Sequence, residues 1–258
     1  MKLILLSILL VSTYCNAQVL DNLKLFKCHE NIEKSGEKED ADGKAFIMIK
    51  EDKLIFLRFN DLLNMKTGEV IIKTAIDTLD LNPTKKVNVF TFILSDKKLK
   101  LKVTSENSFE LQSTDKIQSY HTIENIDLKS PSIEKCKQFL IGNTFVEIDV
   151  TEDNKPTLTR TYQENGKAKY QRIGSKSSWE STYSFIEFQD YVFLKGITSA
   201  PILITKLDQN KLIGIKTNYN STQKIVHFIN AKDWINPDSE NIRTEKPFEI
   251  DPVDISNS

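Results

Sequence analysis

Covalent or acid–base chemistry needs a nucleophile, a base or a metal held among polar partners, and this sequence offers few groups arranged to supply one. Its three histidines, His29, His121 and His227, are scattered. With Cys28 and Cys136 they form no Cys-x-x-Cys spacing, so no zinc site is expected. There is no Gly-x-Ser-x-Gly elbow, no His-Glu-x-x-His helix and no glycine loop to cradle phosphate; the eight glycines are spread singly. His227 sits in the apolar run Ile225 to Ile229 and reads as a strand residue on the polar face. Asp40-Ala41-Asp42-Gly43 begins like a calcium loop, but the closing bidentate glutamate is missing, and Glu37-Lys38-Glu39 before it marks a solvated turn. Glu147 and Asp149, with Phe145, alternate against Val146, Ile148 and Val150. They therefore face the side opposite those three, which is either solvent or the polar interior of a small barrel. No catalytic residue, metal or cofactor is assigned, and the chain reads as non-enzymatic. An envelope hydrolase with dispersed carboxylates is the alternative that leaves no local motif.

Aromatic side chains are more concentrated. Trp179, Tyr183, Phe185, Phe188, Tyr191 and Phe193 crowd one stretch, and Tyr162 and Tyr170 lie on the hairpin before it. Such density lines an apolar ligand cavity or forms an ordinary β core. For the first case the ligand-contacting set is Tyr162, Trp179, Tyr183, Phe185 and Tyr191. Cys28 and Cys136 are expected to form a disulfide, which would close a loop of about a hundred residues and contribute up to ~4–5 kcal/mol. The alternative is two small buried hydrophobes that never meet.

The ends and the overall charge bound where such a site would work. Lys2 followed by the apolar run Leu3 to Val11, then Cys15-Asn16-Ala17, predicts an export signal over residues 1–17, too short for a membrane helix. The protein is accordingly expected in the periplasm, at the cell surface or secreted, with no transmembrane segment after cleavage. Bulky Tyr14 before Cys15 argues against lipidation there. Lysine plus arginine number 35 against 36 acidic residues, and the arginines are only Arg58, Arg160, Arg172 and Arg243. That balance excludes a generic polyanion binder, so no nucleic-acid partner is expected.

The elements that must position any site are strands. Ala45 to Ile49 and Leu54 to Phe59 flank the polar turn Lys50-Glu51-Asp52-Lys53; Val87 to Leu94 and Leu99 to Val103 flank Ser95-Asp96-Lys97-Lys98. Leu99, Leu101 and Val103 alternate with polar residues, the pattern of a half-buried antiparallel strand. The pattern recurs at 144–150, 157–162, 183–188, 191–194, 202–206, 212–217 and 225–229, separated by hairpin turns such as Glu164-Asn165-Gly166-Lys167. The chain is thus predicted to be all-β, with antiparallel barrels or sandwiches and two similar halves joined by a short helix. That helix starts at Pro131-Ser132, places Ile133, Cys136, Phe139 and Leu140 on one face, and stops at Gly142. A second helix is predicted over Asp21 to Lys34. These elements divide the chain into a signal (1–17), a β-rich domain (18–130), a second β-rich domain (131–235) and an extended tail (236–258) carrying Pro237, Pro247 and Pro252. Phe46 to Leu57 resembles Phe185 to Leu194, as expected for a duplicated hairpin.

Leu140-Ile141-Gly142-Asn143-Thr144-Phe145 is similar to the Leu-x-Gly-x-Trp opening of the small lipocalin-like domains of secreted bacterial proteins, with Phe145, one position later, standing in for that family's tryptophan. Thr161-Tyr162-Gln163-Glu164-Asn165-Gly166-Lys167 resembles their second hairpin. The resemblance covers roughly 139–230 and implies an antiparallel barrel with a pocket for a small apolar ligand. The function expected is therefore an exported binding protein that holds a small apolar or amphipathic molecule in a barrel. The alternative is a protein-interaction module, an immunity protein or inhibitor that blocks an envelope or secreted protein.

Overall fold

Alternation of apolar and polar residues draws nearly every described segment into an antiparallel ladder. In the computed structural model the described residues are 24–39, 45–64, 70–84, 86, 88–123, 130–197, 199–217 and 223–234. The predicted signal, the Asp40-Ala41-Asp42-Gly43 turn and the proline-bearing tail lie outside them.

The first half is a ten-stranded antiparallel sheet. Its strands are β1 (Leu25–Glu33), β2 (Lys38–Glu39), β3 (Ala45–Lys50), β4 (Lys53–Leu63), β5 (Val70–Asp80), β6 (Asn82–Pro83), β7 (Val89–Leu94), β8 (Lys97–Ser105), β9 (Ser108–Gln112) and β10 (Lys116–Thr122). They run in the order β5-β4-β3-β1-β10-β9-β8-β7-β6, with β2 paired to β1. The sheet curls into a half-barrel. Phe26, Ile47, Leu54, Phe56, Phe92, Leu101 and Phe109 fill its concave side.

The second half is a closed eight-stranded barrel in which neighbours in sequence are neighbours in space. Its strands are β11 (Thr144–Asp149), β12 (Lys155–Tyr162), β13 (Lys167–Arg172), β14 (Ser178–Phe188), β15 (Tyr191–Gly196), β16 (Ile202–Leu207), β17 (Lys211–Thr217) and β18 (Gln223–Asn230), and β18 closes on β11. Helix α1 (Ile133–Leu140) precedes it, as the sequence predicts. The Ser132 side chain caps its first turn by accepting from the Lys135 amide, and Cys136 and Leu140 are buried against the barrel core. Gly142 follows at φ +77°, the left-handed geometry that ends a helix at little cost only for glycine.

The predicted fold class holds: two antiparallel, barrel-like halves joined by one short helix. The helix predicted over 21–34 does not form, because Leu25–Glu33 is strand β1 at the centre of the first sheet, laddered to β3 and β10. Pairing on both sides satisfies its backbone groups and overrides the local helical spacing.

The two halves share a core. Leu25, Phe46, Met48, Ile55, Leu57 and Phe59 from the sheet pack against Phe188, Tyr191, Phe193, Leu203 and Ile215 on the outer wall of the barrel. The two hairpins whose sequences resemble each other thus meet here, with Phe193 contacting Phe46 at 4.8 Å and Phe59 at 5.3 Å between ring centroids. Full burial of each Leu or Phe contributes roughly 2 kcal/mol, so this seam couples the halves.

The cysteines are not joined. Cys28 is buried in the core of the half-barrel and Cys136 beneath α1 in the core of the barrel, and both are thiols. The expected disulfide fails because each cysteine packs as a small hydrophobe in its own half.

Candidate functional site

The barrel interior is apolar at the helix end and charged at the other. On β11 the alternation turns Phe145, Glu147 and Asp149 inward; on β12 it turns Leu158, Arg160 and Tyr162 inward. The side facing Glu147 and Asp149, which the sequence leaves as solvent or barrel interior, is the interior: the two acids are 2 % and 4 % exposed. Around the helix end, Phe145 touches Phe139 of α1, and Tyr162 meets Phe145 and Tyr183 at 6.5 and 4.9 Å between ring centroids. Phe185 packs edge-on against Tyr183.

Moving toward the opposite end, Arg160 is buried and ion-paired to Glu147. Its guanidinium lies 5.2 Å from the Tyr170 ring centroid and 5.3 Å from that of Phe228. Tyr170 in turn stacks on Trp179 at 5.7 Å with 12° between planes. The ladders place Arg160 opposite Tyr170 and Tyr170 opposite Trp179, so the three make one row across β12, β13 and β14. The row ends at a surface cleft of about 300 Å³ lined by Arg172, Ser175, Ser177 and Trp179. Lys216 lies 3.4 Å from Glu147, and Lys224 lies 2.9 Å from Asp149 and also pairs with Glu152.

The electrostatics follow from burial and pairing. Burial works against the Arg160 charge, but the adjacent Glu147 carboxylate more than offsets it, and the arginine is held protonated above its usual range. Burial raises the Tyr162 phenol despite the pull of Arg160, and raises Tyr170 in the same way. Burial also opposes ionisation of Asp149, yet the hydrogen bonds from Lys224 and Thr151 outweigh it and hold this carboxyl below the usual range. The Tyr162 phenol lies within hydrogen-bonding reach of the Arg160 guanidinium, while Thr217 lies on the same face of β17 as Ile215, outside the barrel interior.

Of the five residues predicted to touch a ligand, Tyr162, Tyr183 and Phe185 come together inside the barrel, chiefly as core against one another. Trp179 stands at the rim. Tyr191 points to the other side of the wall and belongs to the seam between the halves. Arg160, Tyr170, Lys216 and Lys224 are outside the ligand-contacting set that the sequence predicts. A signal existed: Arg160 alternates with Leu158 and Tyr162 against Thr157, Thr159 and Thr161, which places a cation on the apolar face of its strand.

His29 and His121 form a second polar contact, their rings 4.6 Å apart beside a bulge in the β1–β10 ladder. Among the described residues no group of three or more His, Cys, Asp or Glu is arranged to hold a metal ion, and no helix is long and apolar enough to cross a membrane. No protein-family model matches the chain, and no curated protein matches it in sequence.

Proposed function

We propose that this protein acts outside the cytoplasm as a non-enzymatic carrier or sensor of a small amphipathic anion, held at the end of the barrel opposite α1. The observation that carries the reading is the row Arg160–Tyr170–Trp179, which leads from a buried cation to an exposed indole. Arg160, Lys216 and Lys224 balance Glu147, Asp149 and Glu152 around this end, and Arg172 adds one further cation at the cleft. The local balance therefore favours an anionic head group, while Trp179 offers a flat apolar surface for the rest of the ligand. The cleft volume suits a small molecule, not a long-chain lipid. An interior already filled by Phe145, Tyr162, Tyr183 and Phe228 restricts the ligand to the charged end.

Native mass spectrometry of protein purified from its own host, combined with calorimetric titration of octanoate and octanol, tests the reading. The carboxylate should bind at least tenfold more tightly than the alcohol, the order expected for a charge-assisted hydrogen bond. Trp179→Ala should weaken octanoate binding without unfolding the barrel, since the indole is 45 % exposed. A ligand-free mass together with no carboxylate preference would overturn the proposal.

A further inference from the structure

The half-barrel has two edges, and they are built differently. One is β6, only Asn82 and Pro83 long, the short proline-bearing edge that proteins use to prevent strand addition. The other is β5, eleven residues without a proline, laddered to β4 in an unbroken register from Lys53–Asp80 to Leu63–Val70. Among the described strands β4 is its only ladder partner; β7 and β14 pass near β5 without forming a ladder with it. Ile71 of β5, 46 % exposed, lies beside Leu62 of β4 on one face of this edge, and Ile76, 53 % exposed, shares the other face with Leu63. An edge this long and this apolar is a template for another strand.

The sequence of β5 says which strand fits. Two copies of one edge pair about a two-fold axis only in registers that set residues of equal parity opposite each other. Centring the axis on Ala75 places Lys73 opposite Asp77 of the partner subunit, and Asp77 opposite the partner's Lys73. No other two-fold register pairs these opposite charges. The same register sets Ile71 against the partner's Leu79. Leu62 is the β4 neighbour of Ile71 and Leu54 that of Leu79, so one apolar row crosses from each sheet into the core of the other. Small Ala75 faces its own copy on the axis. Arg58, already paired with Asp77, adds a second cation beside the intermolecular pair. We propose that β5 is a homodimerisation strand, joining two half-barrels antiparallel about Ala75 into one continuous sheet.

Sedimentation equilibrium of the full chain over a range of concentrations tests this through charge reversal. Lys73→Asp alone and Asp77→Lys alone each set like charges opposite one another twice per dimer, and each should weaken the dimer by roughly tenfold or more. Mixing the two variants restores opposite charges at both positions, and a heterodimer should form where neither variant dimerises alone. Lys73 is exposed, so its reversal leaves the monomer intact; circular dichroism of each variant checks this. As a second probe independent of charge, Ile76→Asn should also weaken the dimer. A wild-type protein that stays monomeric at about 100 µM, well above the Kd of a specific dimer, overturns the proposal. So does a dimer indifferent to both reversals, or one that mixing fails to restore.

Discussion

The ammonium of Lys195, wholly buried in the barrel wall, donates to Asp61 Oδ1 on β4 at 2.8 Å across 134 residues of chain, and also to the Gly196 carbonyl. A charge sealed between two halves is costly unless both partners stay, because the surviving ion is left in a medium that solvates it poorly. The contact therefore specifies how the sheet sits on the barrel more than it adds net stability.

Asp61→Asn should accordingly cost about 3–5 kcal/mol, measured by urea denaturation at neutral pH. The double change Asp61→Leu with Lys195→Met should recover most of the loss, since apolar groups of similar volume suit the Phe59–Phe193 seam. A single variant as stable as wild type would show that water reaches the pair.

Gly214 on β17 is fixed by space, not by backbone angle. A methyl group there would stand 2.6 Å from Ile202 Cγ2 and 3.0 Å from the Leu203 carbonyl oxygen on the neighbouring strand. Gly214→Ala should destabilise by about 1–3 kcal/mol and lower Tm by about 2–4 °C for each kcal/mol. A scanning calorimeter reads this directly, and an unchanged Tm would mean that β16 and β17 separate easily.

Acid should weaken the fold in two stages. Burial, reinforced by Lys211, holds His227 below its usual pKa of 6.5; burial and the neighbouring His29 do the same for His121. The unfolded chain then binds these protons more readily, so the associated stability is full above 6.5 and is lost as pH falls through that value toward the folded one. Asp149 acts lower: its folded pKa lies beneath 3.8, so its contribution is full above 3.8 and is lost as pH falls through the folded value. Urea midpoints taken from pH 7 down to about pH 3 should show both declines. The variant His121→Gln with His227→Gln should flatten only the first.

Cys28 and Cys136 should behave as buried thiols. Burial pushes the Cys136 thiol up to about 11, with Glu134 adding to it, so little thiolate forms at pH 8. Mass mapping after iodoacetamide should show almost no adduct at Cys28 or Cys136 in the native protein and one at each in the urea-unfolded protein without reductant. An unmodified unfolded chain would instead reveal a disulfide.

Hairpins were legible where turn and alternation agree. Ala45 to Phe59 and Val89 to Val103 reach the structure with nearly the predicted bounds, because each strand lies beside its sequence neighbour and Ser95 and Asp96 take the positive φ that a tight turn needs. Strand β5 is not marked by alternation, although its run of Val, Ile and Thr favours an extended chain. Its burial, intermediate or exposed throughout, gives weak contrast between faces, so alternation was a poor guide there. For Leu25–Glu33 the spacing of Leu23, Phe26 and Ile32 fits a helix face, and the strand shows no polar side because Leu25 to Cys28, Lys27 included, are all buried at the centre of the sheet. Such a run fits a helix face as readily as a strand.

The sequence by itself determined what is local: the antiparallel β character, the capped helix at Pro131-Ser132, the near balance of charge and the missing catalytic and metal motifs. Only the tertiary structure decided which side of each strand faces inward. A strand pattern states that Glu147 and Asp149 share a face with Phe145, but barrel closure of β18 onto β11 is what makes that face an interior and sets Arg160 beside Glu147. It also placed Cys28 and Cys136 in separate cores and brought Lys195 to Asp61. These are contacts between residues far apart in the chain, and no local spacing encodes them.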